Sequence, residues 1–493
     1  MVQQHFDIAI IGAGPGGYST ALRAAELGKS VALVERDATL GGTCLNRGCI
    51  PSKALLTAAH SVEALRNAER MGINASLQSI DFGRLRDFRV STVKTMTKGL
   101  AGLLSHRDVT VFRGNATLNG AHTVDVVPVQ GETYVLRSMK AEVYEPVDTQ
   151  CTLMADDIVL ATGSRPLALP GNPFTGALID STQALELNTL PASAVIIGAG
   201  AVALEFASLW NAFGCKVTLL IRKDRVLSAW ERRASMSLTR ELKRRGVEVI
   251  TRTAVDHVDT GANLGATVHY RQDGSSEERT AYGEVVLAAI GRVPSTDADW
   301  FRSSGLALDD HGYVVIDGFG RTNLDGVWAL GDITSGHALA HRAFEQGITI
   351  AEKLAGLDPR PVLDETVPQV VFSFPEAASV GLTLDQAKAR GDVLEPQETS
   401  YPMLSNARML MSGEGGAMTI VSGEFADDPD RRVVLGVHIV SPIASDLIAE
   451  AEQLVGNHVP LADAARLIHP HPTFSETLGE ALLKADGRPL HTR

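Results

Sequence analysis

Cys44 and Cys49, with four residues between them, lie inside Gly41 to Lys53, GGTCLNRGCIPSK, and the chain has only two other cysteines, Cys151 and Cys215. Two thiols that close on one helical face, right after a Gly-Gly turn, can form and break a small-ring disulfide. A thiolate beside a helix N-terminus is stabilised by the helix dipole, so a lowered pKa and a reactive sulfur are expected. The same spacing also suits half of a zinc site or two unrelated core cysteines. Zinc would want a second pair, or histidines at ligand spacing, and none lies nearby, so no metal is expected.

The elements around these thiols carry the second chemical signal. Phe6 to Ile11 reads as a buried parallel strand, followed at once by Gly12-Ala-Gly14-Pro-Gly16-Gly17. A helical pattern from Tyr18 to Leu27 ends at Gly28, and a second strand, Ser30 to Val34, finishes on Glu35. Strand, Gly-rich turn, helix, strand and acid make the dinucleotide fingerprint in full context. Missing side chains let the backbone approach a pyrophosphate, the helix N-terminus offers free N–H groups, and Glu35 is placed to accept from ribose hydroxyls.

The unit returns 186 residues later, with strand Ala194 to Ile197 and the turn Gly198-Ala-Gly200-Ala-Val-Ala203. Two such units imply two dinucleotides side by side, which an electron relay requires. The copies differ: Gly17 becomes Ala203, and Glu35 becomes Ile221, followed by Arg222 and Lys223. An acid at that strand end suits a free 2′-hydroxyl, whereas basic residues suit a 2′-phosphate, so the second site leans towards NADP. A solvated basic loop would read the same way.

Length and composition set the frame. At 493 residues about three domains are expected, and 44% apolar residues with 46 glycines fit an α/β protein rich in tight strand-to-helix turns. A net charge of −13 argues against a nucleic-acid partner, and no apolar run reaches membrane-spanning length. With four cysteines and neither a signal peptide nor a presequence in view, a reducing cytoplasmic setting is expected, where a CxxxxC pair is more often catalytic than structural. Ser61 to Leu104 reads as helical and amphipathic, Val109 to Val159 as β-rich, and the composition shifts again near Ala355.

The run GGTCLNRGCIPSKALL resembles the redox-active disulfide motif of the FAD-dependent pyridine nucleotide-disulfide oxidoreductases, and most closely their lipoamide dehydrogenase branch. ATGSRP (Ala161 to Pro166) and LAAIGRVP (Leu287 to Pro294) resemble the family's two crossings between flavin and nicotinamide domains. TNLDGVWALGDIT (Thr322 to Thr334) resembles its second FAD motif, and LAHRAFEQG (Leu339 to Gly347) the helix that follows. VVFSFPEAASVGLT, SNARMLM and LGVHIVSPIASDLIAEA resemble its dimerisation domain, and His469-Pro-His471-Pro-Thr-Phe-Ser-Glu476 its catalytic base segment. Pro470 stands where relatives carry a small residue, which puts the seating of His469 in question. IRKDRVL resembles the NADPH segment of glutathione reductases, except that Ser228 fills the further basic position.

The resemblance implies two Rossmann-like domains and a C-terminal α+β dimerisation domain. FAD would be bound by 1–155 and 286–352, NAD(P) by 156–285, and the homodimer contact would lie in 353–493. It implies Cys44 as the thiol that exchanges with substrate, Cys49 beside the flavin, and His471 with Glu476 as the base of a partner subunit. FAD contacts would come from Gly12, Gly14, Gly16, Gly17, Glu35, Gly42, Thr43, Thr162, Gly163 and Asp332. Lys53 and Glu205 would form an ion pair at the reactive flavin edge, and Gly198, Gly200, Ala203, Arg222, Lys223 and Gly291 would serve the nicotinamide nucleotide. The implied activity oxidises dihydrolipoamide on the lipoyl domain of a 2-oxoacid dehydrogenase or glycine cleavage complex. The rivals are an NADPH-driven reductase of a small disulfide or quinone and a catalytically idle flavoprotein scaffold. A mercuric reductase is disfavoured, because no cysteine pair follows the HPTxSE segment.

Overall fold

The computed structural model describes residues 3–129, 134–137, 143–146, 151–261 and 265–492, so parts of the β-rich stretch expected between Val109 and Val159 lie outside the described residues. The chain divides into two compact units. The first comprises Met1–Ala54, Arg86–Arg165 and Arg292–Asp364, and the second Leu55–Leu85, Pro166–Gly291 and Glu365–Arg493.

In the first unit the apolar strand Gln3–Ile11 lies between Val31–Glu35 and Cys151–Leu160, all parallel. Its second half, Ile8 to Ile11, is buried on both faces and shows the continuous apolar run typical of a central parallel strand. Thr110–Arg113 and Val327–Ala329 extend the parallel part, and antiparallel strands complete a nine-stranded sheet. The helix Pro15–Glu26 begins with Pro at its first turn, where the missing N–H costs nothing.

The second unit holds the second fingerprint in a five-stranded parallel sheet. Its order is Leu178–Ile179, Val285–Ala288, Ser193–Ile197, Lys216–Leu220, Glu248–Ile250. A separate five-stranded antiparallel sheet, from Gln369–Val371 to Asp428–Ser441, carries the helices Ala444–Gly456 and Glu476–Ala485. Val371, Phe374, Ala377 and Val440 of this sheet region share one core with Ile196, Leu204, Trp210 and Leu219 of the parallel part.

The repeat holds in three dimensions, with the same offset at the turn and its return and a shorter one, Ala161 to Ala289, at the crossing strands. Gly12 N–H donates to the Val34 carbonyl at 2.8 Å, and Gly198 N–H to that of Leu220 at 3.1 Å. Ala161 and Ala289 donate to Ile11 and Ile197, and Gly41 and Leu227 to Ala13 and Ala199, each at 2.8–2.9 Å. The stretch from Ser61 to Leu104 is largely helical, as expected. It forms two helices, Cys49–Ala68 and Phe82–His106, because Gly72 adopts φ +77° and closes the first one after the 3-10 turn Glu69–Met71. The second of these helices buries only Leu100, Leu104 and Ser105. Among the described residues no helix is long and apolar enough to cross a membrane.

The two turns differ where Gly17 meets Ala203. A Cβ on Gly17 would stand 1.8 Å from the Gly12 carbonyl oxygen, so helix and strand meet there at a distance only glycine permits. The second unit accommodates the methyl of a buried Ala203, as expected for looser helix-to-strand packing. Gly17→Ala should therefore destabilise the protein by about 1–3 kcal/mol, as overpacking does. Ala203→Gly should cost only about 0.5–1 kcal/mol, the helix penalty of glycine. Equal unfolding free energies for the two variants in urea would contradict this asymmetry.

Candidate active site

The first turn and the thiols are one construction. Glu35 is buried, and its two carboxylate oxygens accept from Ala13 N–H and Asp37 N–H, both at 2.9 Å. Burial pushes its pKa up while those N–H groups pull the other way. The chain then returns: Gly41 N–H donates to Ala13, and a Cβ on Gly42 would lie 2.7 Å from the Gly14 Cα. Gly42 starts the helix Gly42–Arg47, whose first turn carries Thr43 and Cys44. Arg47 is paired with Asp37 at 2.6 Å, and Asn46 donates to the Leu40 and Gly42 carbonyls. After Gly48 the helix Cys49–Ala68 begins on the second cysteine.

Cys44 and Cys49 are half-buried thiols joined by a hydrogen bond. The expectation of a lowered pKa fails for Cys44. The hydrogen bond to Cys49, burial and the negative charge of Cys49 all push the Cys44 pKa up, and only Lys53 and a backbone hydrogen bond oppose them. The two thiols thus titrate as a pair, and their shared hydrogen bond is the largest influence on Cys44.

Asp332 sits in the 3-10 turn Gly331–Ile333 and accepts from the Ser164 hydroxyl at 2.5 Å. Arg292 donates through Nε to Ser164 Oγ at 2.6 Å and through Nη2 to the Ser164 carbonyl at 2.7 Å. Gly331 N–H donates to the buried Gln346 side chain. Thr162 Oγ1 donates to Ser295, and Ser295 N–H to Gly163, which fixes the first crossing against the return. Gly291 adopts φ +139° and accepts from Leu167 N–H. Ser164, Arg292 and Gln346 escaped the sequence reading although all three lie within motifs it singled out. Spacing does not reveal hydrogen-bond partners more than a hundred residues apart. A side-chain-free turn, a buried acid at the second strand end and a carboxylate beyond the crossing suit a dinucleotide.

In the second unit Gly200 precedes the helix Ala201–Phe213, which carries Ala203 and Glu205. Glu205 is buried and accepts from Phe372 N–H at 3.2 Å. Ile221 is fully buried, so no carboxylate occupies the counterpart of Glu35. Arg222 and Lys223 are exposed, whereas Arg225 turns back to Asp224 and to the Ser228 carbonyl.

The C-terminal run also resolves into roles. His471 Nδ1 lies 2.7 Å from Glu476 Oε1, and the other oxygen of Glu476 accepts from Thr473 N–H. Against burial, which raises it, Thr473 and His471 hold the Glu476 carboxyl below its ordinary pKa. An ionised Glu476 puts the ring proton on Nδ1 and leaves Nε2 as an acceptor. The His471 side chain is 77% exposed. His469 instead is buried against Glu450 at 2.9 Å and its pKa is raised by that partner. Pro470 leaves this arrangement intact, its carbonyl accepting from the Thr473 hydroxyl. Cys44, Cys49 and Lys53 belong to the first unit, and Glu205, His471 and Glu476 to the second. Among the described residues no cluster suits a metal.

Replacing Cys49 by Ser removes the sulfur partner whose hydrogen bond and charge raise the Cys44 pKa. In reduced Cys49→Ser the Cys44 pKa should fall towards the ordinary thiol value, readable from ultraviolet thiolate absorbance against pH. An unchanged or higher Cys44 pKa would show that burial alone sets it.

Residues 6–347 match the family described as pyridine nucleotide-disulphide oxidoreductase, and residues 367–482 match its dimerisation domain. The chain is 37% identical over 485 residues to dihydrolipoyl dehydrogenase of Geobacillus stearothermophilus, covering 98% of this chain and 96% of that one. It is also 37% identical over 487 residues to dihydrolipoyl dehydrogenase of Bacillus subtilis, covering 98% and 97%. Among solved structures, LpdA from Mycobacterium tuberculosis superposes with a TM-score of 0.84 at 25% identity, covering 98% of this chain and 99% of that one. The fingerprints, the thiol pair and the full-length likeness have one explanation: this chain belongs to the pyridine nucleotide-disulphide oxidoreductase family, the flavin-dependent disulfide oxidoreductases.

Proposed function

We propose that the protein is a homodimeric dihydrolipoamide dehydrogenase that oxidises dihydrolipoamide on a lipoyl domain and delivers the electrons to NAD(P). The observation that carries this reading is the His471–Glu476 pair, which leaves an acceptor nitrogen exposed at the end of a segment built to hold it. Full-length likeness to dihydrolipoyl dehydrogenases supports the substrate class.

His471 Nε2 takes a proton from the substrate dithiol, since only the thiolate attacks a disulfide. That thiolate attacks Cys44 of the oxidised pair and Cys49 leaves as a thiolate. The second substrate thiol then displaces Cys44, which regains its proton, giving lipoamide disulfide and the reduced Cys44–Cys49 pair. Glu476 supports the imidazolium. Bound FAD supplies the two-electron link between this dithiol and the nicotinamide. Gly12, Gly14, Gly16, Gly17 and Gly42, with Glu35, Thr43, Thr162, Gly163 and Asp332, would hold it, with Lys53 and Glu205 at its reactive edge. The base comes from the partner subunit in this reading, so the dimer is the active unit. FAD binding falls to 1–155 with 286–352, nicotinamide binding to 156–285 and dimer contact to 353–493.

For the nucleotide, Arg222 and Lys223 with Ile221 favour NADP. Charge-assisted contacts contribute about 1.5–3 kcal/mol each, enough after discount for exposure to give a tenfold preference. The basic pair also favours a second reading, an NADPH-driven reductase of a small disulfide. Steady-state assays of dihydrolipoamide and oxidised glutathione, each with both nicotinamides, separate the two. Faster turnover of glutathione would overturn the lipoamide reading. His471→Gln should slow dithiol oxidation by about a hundredfold or more, the usual loss of a general base, with flavin binding retained. A tenfold-or-smaller effect would remove His471 from that role.

A further inference from the structure

We infer that Arg252 supplies a third cation to the adenosine end of the nicotinamide nucleotide site and is a specificity-determining residue for a 2′-phosphate. The inference rests on the NADP reading of Arg222 and Lys223.

The strand Glu248–Ile250 runs parallel beside Lys216–Leu220, pairing Thr218 with Glu248 and Leu220 with Ile250. The chain therefore leaves both strands at the same edge, the carboxyl end where open α/β sheets bind their ligands. Beyond the strands, three backbone hydrogen bonds keep the two exits together. Ile221 N–H donates to Ile250 at 2.9 Å, Thr253 N–H to Ile221 at 3.0 Å, and Arg252 N–H to Lys223 at 2.9 Å. Neighbouring extended chains joined this way lie about 5 Å apart, so Arg252 projects from the ground on which Arg222 and Lys223 stand.

The backbone of Arg252 is unusual. Its φ is +55°, a conformation that residues other than glycine, Asn and Asp rarely adopt, and such outliers concentrate at ligand sites. Leu227 in the same nucleotide loop also has positive φ, +45°. Asp273 N–H donates to the Arg252 carbonyl at 3.0 Å, and the guanidinium meets Asp273 Oδ1 at 3.0 Å, with both side chains more than half exposed. An ion pair this exposed is weak and readily yields to a dianion. Among the described residues Arg222 and Lys223 have no ion-pair partner, so three cations border this edge in a chain of net charge −13. Ser228 lacks the further basic side chain of the glutathione reductase pattern, and Arg252 restores the count from the bend between Glu248–Ile250 and Thr253–Asp259.

The test compares kcat/KM for NADPH and NADH in the FAD-loaded wild type, Arg252→Ala, Arg252→Asn and Arg252→Lys, with inhibition by adenosine 2′,5′-bisphosphate and by AMP. Asn tolerates positive φ, so it separates loss of charge from backbone strain. Arg252→Ala and Arg252→Asn should lose about tenfold in kcat/KM for NADPH, through KM, and weaken the bisphosphate equally, with NADH, AMP and kcat unchanged. Arg252→Lys should keep most of the preference. Equal losses with both nucleotides, or none, would overturn the assignment while the NADP reading stands. A wild type that prefers NADH would overturn that reading and this inference with it.

Discussion

The site depends on the contact between the first Gly-rich turn and the chain that returns to it. Gly41 N–H bonds the Ala13 carbonyl, and Gly42 lies so close to Gly14 that even one methyl would collide. The helix bearing Cys44 starts at that contact, so the Gly-rich turn also positions the first thiol. The second unit makes the same return with Leu227 on Ala199, but no thiol follows. Its equivalent of Gly41 is a leucine held at φ +45°, and the segment beyond it leads into the Glu231-capped helix Arg232–Arg244. One backbone device therefore leads into the thiol-bearing helix in the first copy and closes the segment with Arg222 and Lys223 in the second.

The helix Cys49–Ala68 is secured at its far end as well. Arg245 bonds Glu63 on that helix and Glu414 on a distant loop, the latter at 2.5 Å, with all three side chains nearly buried. Removing one partner would leave an uncompensated buried charge, which typically costs about 3–5 kcal/mol.

Much of this was legible in the sequence because the signals are local or strictly periodic. The 186-residue offset placed Gly198 on Gly12 and Ile221 on Glu35, and the folded chain repeats its turn hydrogen bonds at the same offset. The HPTxSE run put Glu476 within reach of His471, and the two are hydrogen-bonded. What escaped is non-local. The helix dipole suggested a reactive Cys44, but the hydrogen bond to Cys49, with burial, raises its pKa. The helical reading of Ser61 to Leu104 gave no boundary, and the left-handed backbone of Gly72 supplies one. Arg252 carries no motif and gains meaning only from the backbone bond that sets it beside Lys223.

The central claim is that Cys44 of one subunit works with His471 of the other. Inactive Cys44→Ser and His471→Gln subunits, mixed under conditions that exchange subunits and assayed with dihydrolipoamide, test it directly. Random assortment into two-fold dimers should restore about a quarter of wild-type activity, because half of the dimers hold one intact site. A mixture that stays inactive while subunit exchange is demonstrated would contradict a site shared between subunits.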